Sequence, residues 1–186
     1  MGKPVLLVLS GLVVGSLALA QADLADFPPG TTSMVWQLAG ADLGSPQTLR
    51  LEVTGLEDGR YRVVLSVEAE GTPEELGMLG FLGSVAFVQS TGTDGDLAAL
   101  LTLIKRREQL AVGEEYALPG GIIFLVRETA DIGGVTCLLG EYQTEEGRRV
   151  ELGLALSDPV YFLPLLRVWE GEELTFEWLL REYGRP

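Results

Sequence analysis

Asp94 and Asp96, in the stretch TGTDGD at 91–96, offer a pair of carboxylates that could hold calcium. The stretch lacks the full D-x-[DN]-x-[DN]-G pattern with its distal glutamate. A turn followed by a helix cap, where Asp and Gly are both favoured, accounts for it better. Two carboxylates could also work together on a glycosidic bond, but with 27 acidic residues along the chain nothing singles out a pair. The sole thiol, Cys137, lies in GVTCLLG. Its apolar neighbours fit a small buried hydrophobe; a thiol left over to pair between chains is the alternative. Histidine is absent, which excludes Ser-His-Asp and Cys-His catalysis and zinc sites built on imidazole. One cysteine cannot make a thiolate cage, and no G-x-x-x-x-G-K-[ST] phosphate loop occurs. The expectation is a protein with no catalytic residues, no cofactor and no metal.

Lys105, Arg106 and Arg107 form the one basic cluster. They read either as the solvated end of a helix, where cations suit the dipole, or as a docking point for an acidic partner or headgroup. The chain carries 13 basic against 27 acidic residues, a formal net charge of −14. Binding to nucleic acid phosphates or to anionic membrane surfaces needs the opposite balance, so neither is expected.

Two apolar stretches stand out as candidate ligand contacts. LGMLGFLG at 76–83 spaces Leu76, Met78, Leu79, Phe81 and Leu82 between glycines at 77, 80 and 83. It reads as a weak helix, held by packing, because each interior glycine costs about 1 kcal/mol relative to alanine. Such a segment is either a buried helix close to a sheet or a mobile lid over an apolar cavity. The second stretch, DPVYFLPLLRVW, contains Tyr161 and Phe162. Pro159 and Pro164 argue against a central strand there, so it reads as an edge strand over the core or as the rim of a ligand mouth.

The elements that must position these residues are mostly strands. TLRLEVT and RYRVVLSVEAE alternate apolar and polar residues with the period of a half-buried strand. A three-residue loop at Glu57-Asp58-Gly59 sets Val53 opposite Val63 and Leu51 opposite Leu65, with Gly59 left-handed. The same grammar at Glu145-Glu146-Gly147 sets Tyr142 opposite Val150 and Leu138 opposite Leu154. A third hairpin turns at Glu170-Gly171-Glu172, and SMVWQLA and IIFLVRE complete the strand set. One helix is expected from Thr72, an N-cap followed by Pro73 and Glu75, and a second over 96–110, DLAALLTLIKRREQL. The fold expected is α+β, a single curved, half-barrel-like antiparallel sheet with two helices inserted mid-chain.

At the N-terminus, Lys3 precedes an apolar run from Pro4 to Ala20, closed by Ala20-Gln21-Ala22. A basic tip, an apolar core and a small-x-small triplet form an export signal; a retained membrane anchor is the alternative, against which the run is short. The expected organisation is a cleaved signal at 1–22, an extended leader at 23–32, and one domain at 33–184. The mature protein would be periplasmic or extracellular, with no transmembrane span. The absence of asparagine excludes N-glycosylation.

The order of export signal, meandering strands, inserted helices, further strands, a proline-bearing apolar stretch and a last hairpin resembles the LolA-type lipoprotein carriers of the bacterial periplasm. In that type an open half-barrel holds acyl chains under helical lids. The resemblance is one of architecture and carries no residue over. It implies a carrier of an apolar small molecule or lipid. A cell-envelope structural or assembly module, acting on an envelope protein partner, is the competing expectation.

Overall fold

Apolar residues at every second position, broken by glycine-bearing turns, make strands that pair with their neighbours in sequence. The computed structural model describes residues 23–40, 43, 45–70, 72, 102–144 and 146–186. Among these residues nine strands form one open antiparallel sheet: β1 Gly30–Gly40, β2 Gln47–Gly55, β3 Tyr61–Ala69, β4 Glu115–Ala117, β5 Ile123–Ile132, β6 Val135–Gln143, β7 Arg149–Ala155, β8 Leu165–Glu170 and β9 Glu173–Gly184. Their order across the sheet is β3-β2-β1-β9-β8-β7-β6-β5-β4. Two meanders are therefore joined where β1 lies beside β9.

The β2–β3 and β6–β7 hairpins adopt the register that keeps their apolar sets on one face. Val53 faces Val63 and Leu51 faces Leu65; Tyr142 faces Val150 and Leu138 faces Leu154. Matched bonds close the two turns: the Leu56 N–H donates to the Arg60 carbonyl at 2.8 Å and the Thr144 N–H to the Arg148 carbonyl at 2.9 Å. Gly59 and Gly147 take φ of +77° and +80°, the left-handed conformation this loop demands of its last residue.

The α+β expectation of two helices inserted mid-chain is overturned. The described residues are mostly sheet, and among them the α-helix is one short segment, α1, at 102–106, which tightens into a 3-10 turn at Arg107–Gln109. Helices of this length are marginal alone and extend only as far as packing supports them; in α1, Leu103 and Ile104 are the buried contacts. The stretch TPEELGMLGFLG, expected to form the other helix, carries the helix penalty of three glycines. Residues 73–101 lie outside the described residues.

The proline-bearing stretch also differs from expectation. Leu165–Glu170 is not an edge strand but β8, between β7 and β9. The prolines precede it, in a crossover at 156–164. The Pro164 carbonyl accepts the Leu180 N–H at 2.7 Å, since proline lacks only the donor and can still pair through its oxygen.

Alternation divides the sheet into a core face and a polar face. On the core face, Leu49 and Leu51 of β2 lie opposite Trp36 and Met34 of β1, and Trp36 and Leu38 lie opposite Leu180 and Trp178 of β9; Val53 and Phe176 share that face, and all are buried. Phe27 joins this cluster, and so does Val160 of the crossover. A second cluster packs Leu103 and Ile104 of α1 on Phe124, Val126, Tyr142, Val150 and Leu152. The sheet curls: a β-carbon at Gly133, on the β5–β6 turn, would stand 2.9 Å from the Leu180 carbonyl oxygen of β9. With three strands between β5 and β9, a flat sheet would hold them well over about 10 Å apart. Among the described residues no helix is long and apolar enough to cross a membrane.

Candidate binding surface

The crossover is pinned by aromatic side chains. Trp36 of β1 and Trp178 of β9 each donate an indole N–H to the Leu163 carbonyl, both at 3.0 Å. Phe162 sets its ring edge-on to both indoles at 5.5 Å, and Tyr161 stands at 5.1 Å from Phe162. Tyr161 also reaches Phe27, at 6.4 Å. Offset and edge-to-face rings add attraction beyond the area they bury. Of the expected ligand contacts, the fold thus brings Tyr161 and Phe162 together, half-buried on the core. Leu76, Met78, Leu79, Phe81 and Leu82 lie outside the described residues, as do Asp94 and Asp96.

The β3 end of the sheet is different in kind. Leu51 and Val53 are buried, yet their partners across the ladder are open: Leu65 is 51% exposed and Val63 43%. Val64, on the polar face, is 46% exposed. Val67 and Tyr61, on the core face, are half-buried against the same cluster as Tyr161 and Phe162. The apolar core face therefore continues past the buried core to the last strand.

The basic cluster sits at the end of α1. Lys105 and Arg106 are exposed, while the Arg107 guanidinium donates to the Ile104 carbonyl at 3.3 Å. A cation that satisfies a helix-end carbonyl is a cap.

The polar face carries residues that the sequence reading did not single out. Arg127 pairs with Glu141, and Arg149 stands 3.8 Å from the same carboxylate. Arg167 lies between Glu177 at 2.8 Å and Glu151 at 3.3 Å. Burial works against the Arg167 charge, but the two carboxylates outweigh it and raise its pKa. A cleft of about 340 Å³ opens beside this row, lined by Asp131, Leu139, Leu165, Arg167, Leu179 and Arg181 among others. Its guanidiniums already have partners, since Arg181 donates to Gln37 at 2.9 Å. Cross-strand spacing is the signal that marks such a ladder, and it requires the register of strands distant in sequence. Cys137 is fully buried, and burial, followed by the charges of Asp131 and Asp158, pushes its thiol up to about 12.

No known protein family matches the chain, and no curated protein does. Among solved structures, that of MucB is similar, with 10% sequence identity and a TM-score of 0.45. The likeness covers 90% of this chain and 56% of the MucB chain, and at this distance it is a general resemblance of fold.

Proposed function

We propose that the protein is an exported, non-enzymatic binding module that holds an apolar or lipid-like ligand against the core face at the β3 end of its sheet. One observation supports this above others: the core face stays apolar to its rim while burial stops short of it. The core-face positions of β3 are Tyr61, Val63, Leu65, Val67 and Ala69, with no charge among them. Covering exposed apolar surface yields about 25 cal/mol per Å², and a rimmed apolar patch of this kind is a usual mark of a binding surface. Tyr61, Val67, Tyr161 and Phe162 sit half-buried on the one cluster that such a ligand would extend. The charge of −14 favours a neutral ligand over an anionic one.

A neutral apolar fluorophore such as Nile red, with native mass spectrometry of gently purified protein, tests the reading. Saturable binding is expected, with a loss of at least about tenfold in Leu65→Glu, which places a charge on the apolar rim at an exposed site. Absence of both probe binding and co-purified lipid would contradict the reading. Export is tested by N-terminal sequencing of the protein from its own host, which should begin at Asp23.

One observation favours a second reading, an envelope module working through protein contacts. Among the described strands β3 ends the sheet, and it is nine residues long. Light scattering over a range of concentrations separates the two, because only the module gains mass.

A further inference from the structure

The backbone of β3 presents an ordered row of hydrogen-bonding groups at the end of the sheet. The Leu56 N–H to Arg60 carbonyl bond closes the β2–β3 turn. From that pair the antiparallel ladder bonds every second residue pair: Thr54 with Arg62, Glu52 with Val64, Arg50 with Ser66 and Thr48 with Glu68. Tyr61, Val63, Leu65, Val67 and Ala69 therefore aim their N–H and C=O groups away from β2, where no described strand pairs with them. Edge strands of monomers are usually short, bulged or interrupted by charge. β3 runs in unbroken register over nine residues, and its centre, Val63–Val67, carries no charge. The opposite edge, β4, has three residues.

We propose that β3 pairs antiparallel with β3 of a second copy of this chain, about a two-fold axis at Leu65. This deepens the protein-contact reading and does not depend on the apolar ligand. Hydrogen bonding must join outward-facing residues on both copies, so only every second register is open. Among those, centring on Leu65 is the one that overlaps all nine residues. It sets Leu65 against Leu65 and Val63 against Val67, all on the core face. On the polar face it sets Arg62 against Glu68, the strand's single cation and single anion, and symmetry makes this pair twice. Arg62 and Glu68 have no ion-pair partner among the described residues. They would meet at non-hydrogen-bonded sites, where side chains of an antiparallel ladder lie closest. A shift of two residues brings Arg62 against Ser66 or Glu70, and a shift of four in one direction sets it against Val64; every shift also loses overlap. The joined sheets would present one continuous apolar core face across the axis.

Sedimentation of the intact protein at about 0.15 M salt, where the Debye length of about 8 Å screens the general acidity of the two copies, tests the proposal. Wild type is expected to dimerise reversibly in the micromolar range. Arg62→Glu and Glu68→Arg each place like charges opposite one another twice, and each should weaken the dimer at least about tenfold. An equimolar mixture of these two variants restores both ion pairs and should dimerise as wild type does, and so should the double variant carrying both changes. A wild type that stays monomeric, or single variants that dimerise unimpaired, would overturn the proposal. Circular dichroism confirms that the variants, altered at exposed sites, are folded. Nile red binding retained in a protein that fails to dimerise removes this proposal alone; dimerisation without probe binding removes the ligand reading alone.

Discussion

Trp36 and Trp178 hold one carbonyl between them, and the arrangement has an energetic signature. Replacing either indole by phenylalanine leaves the Leu163 oxygen one donor; replacing both leaves a buried acceptor with neither. An orphaned buried group costs about 1–3 kcal/mol beyond the bonds themselves. In a double-mutant cycle by urea denaturation, Trp36→Phe with Trp178→Phe should therefore lose more than the sum of the single changes. Strict additivity would show that the carbonyl finds another partner. Cys137 gives a second residue-level prediction. Its folded-state thiol is raised from 9.0 to about 12, so the folded chain holds the proton more tightly than the unfolded chain does. The resulting stability is complete below pH 9.0 and falls as pH rises from 9.0 toward 12, by up to about 1.4 kcal/mol per pH unit. Denaturant midpoints across that range check the sign. A thiol reagent at mildly alkaline pH should label Cys137 only as fast as the chain unfolds. Its burial was legible in GVTCLLG. The role of the two tryptophans was not, because their common acceptor lies 127 residues from one and 15 from the other.

The elements were legible where local chemistry decides them. Glu57-Asp58-Gly59 and Glu145-Glu146-Gly147 fix loop length, and the apolar sets on either side allow one register each, so both pairings were readable to the residue. Where non-local packing decides, local chemistry misleads. The prolines near β8 argue against a place in the sheet interior, yet they stand in the crossover before it and leave Leu165–Glu170 free to pair on both sides. Of the two inserted helices, only a short segment at 102–106 is present among the described residues, because in short segments packing outweighs capping residues and apolar stripes. The glycines give a test at this scale. A β-carbon at Gly140 of β6 would lie 2.3 Å from the Phe124 ring and 2.7 Å from the Leu125 carbonyl oxygen. At Gly147 it would meet nothing within 4 Å, leaving only the cost of a positive φ. Gly140→Ala should cost about 2 kcal/mol or more through overpacking, and Gly147→Ala nearer 1 kcal/mol. Equal losses in urea titrations would mean that β5 and β6 are not held so closely.

At the scale of the molecule, the decisive feature is one that local patterns do not encode. Strand β1 pairs with β9 on the side away from β2, so the N-terminal meander hangs from the end of the chain and its last strand, β3, is an edge among the described strands. Once it does, the alternation of RYRVVLSVEAE acquires a second meaning: the residues that match the buried face of β2 on one side present an unpaired backbone and an apolar rim on the other. Both the ligand reading and the dimer require that rim to be bare in the free monomer. Residue-resolved amide hydrogen exchange in dilute, ligand-free protein measures this directly. The amides of Val63, Leu65 and Val67 should exchange far faster than those of Val64, Ser66 and Glu68, which bond to β2, giving an alternation with a period of two along the strand. Uniform protection from Val63 to Glu68 would show that the edge is already covered and would contradict the account at its foundation.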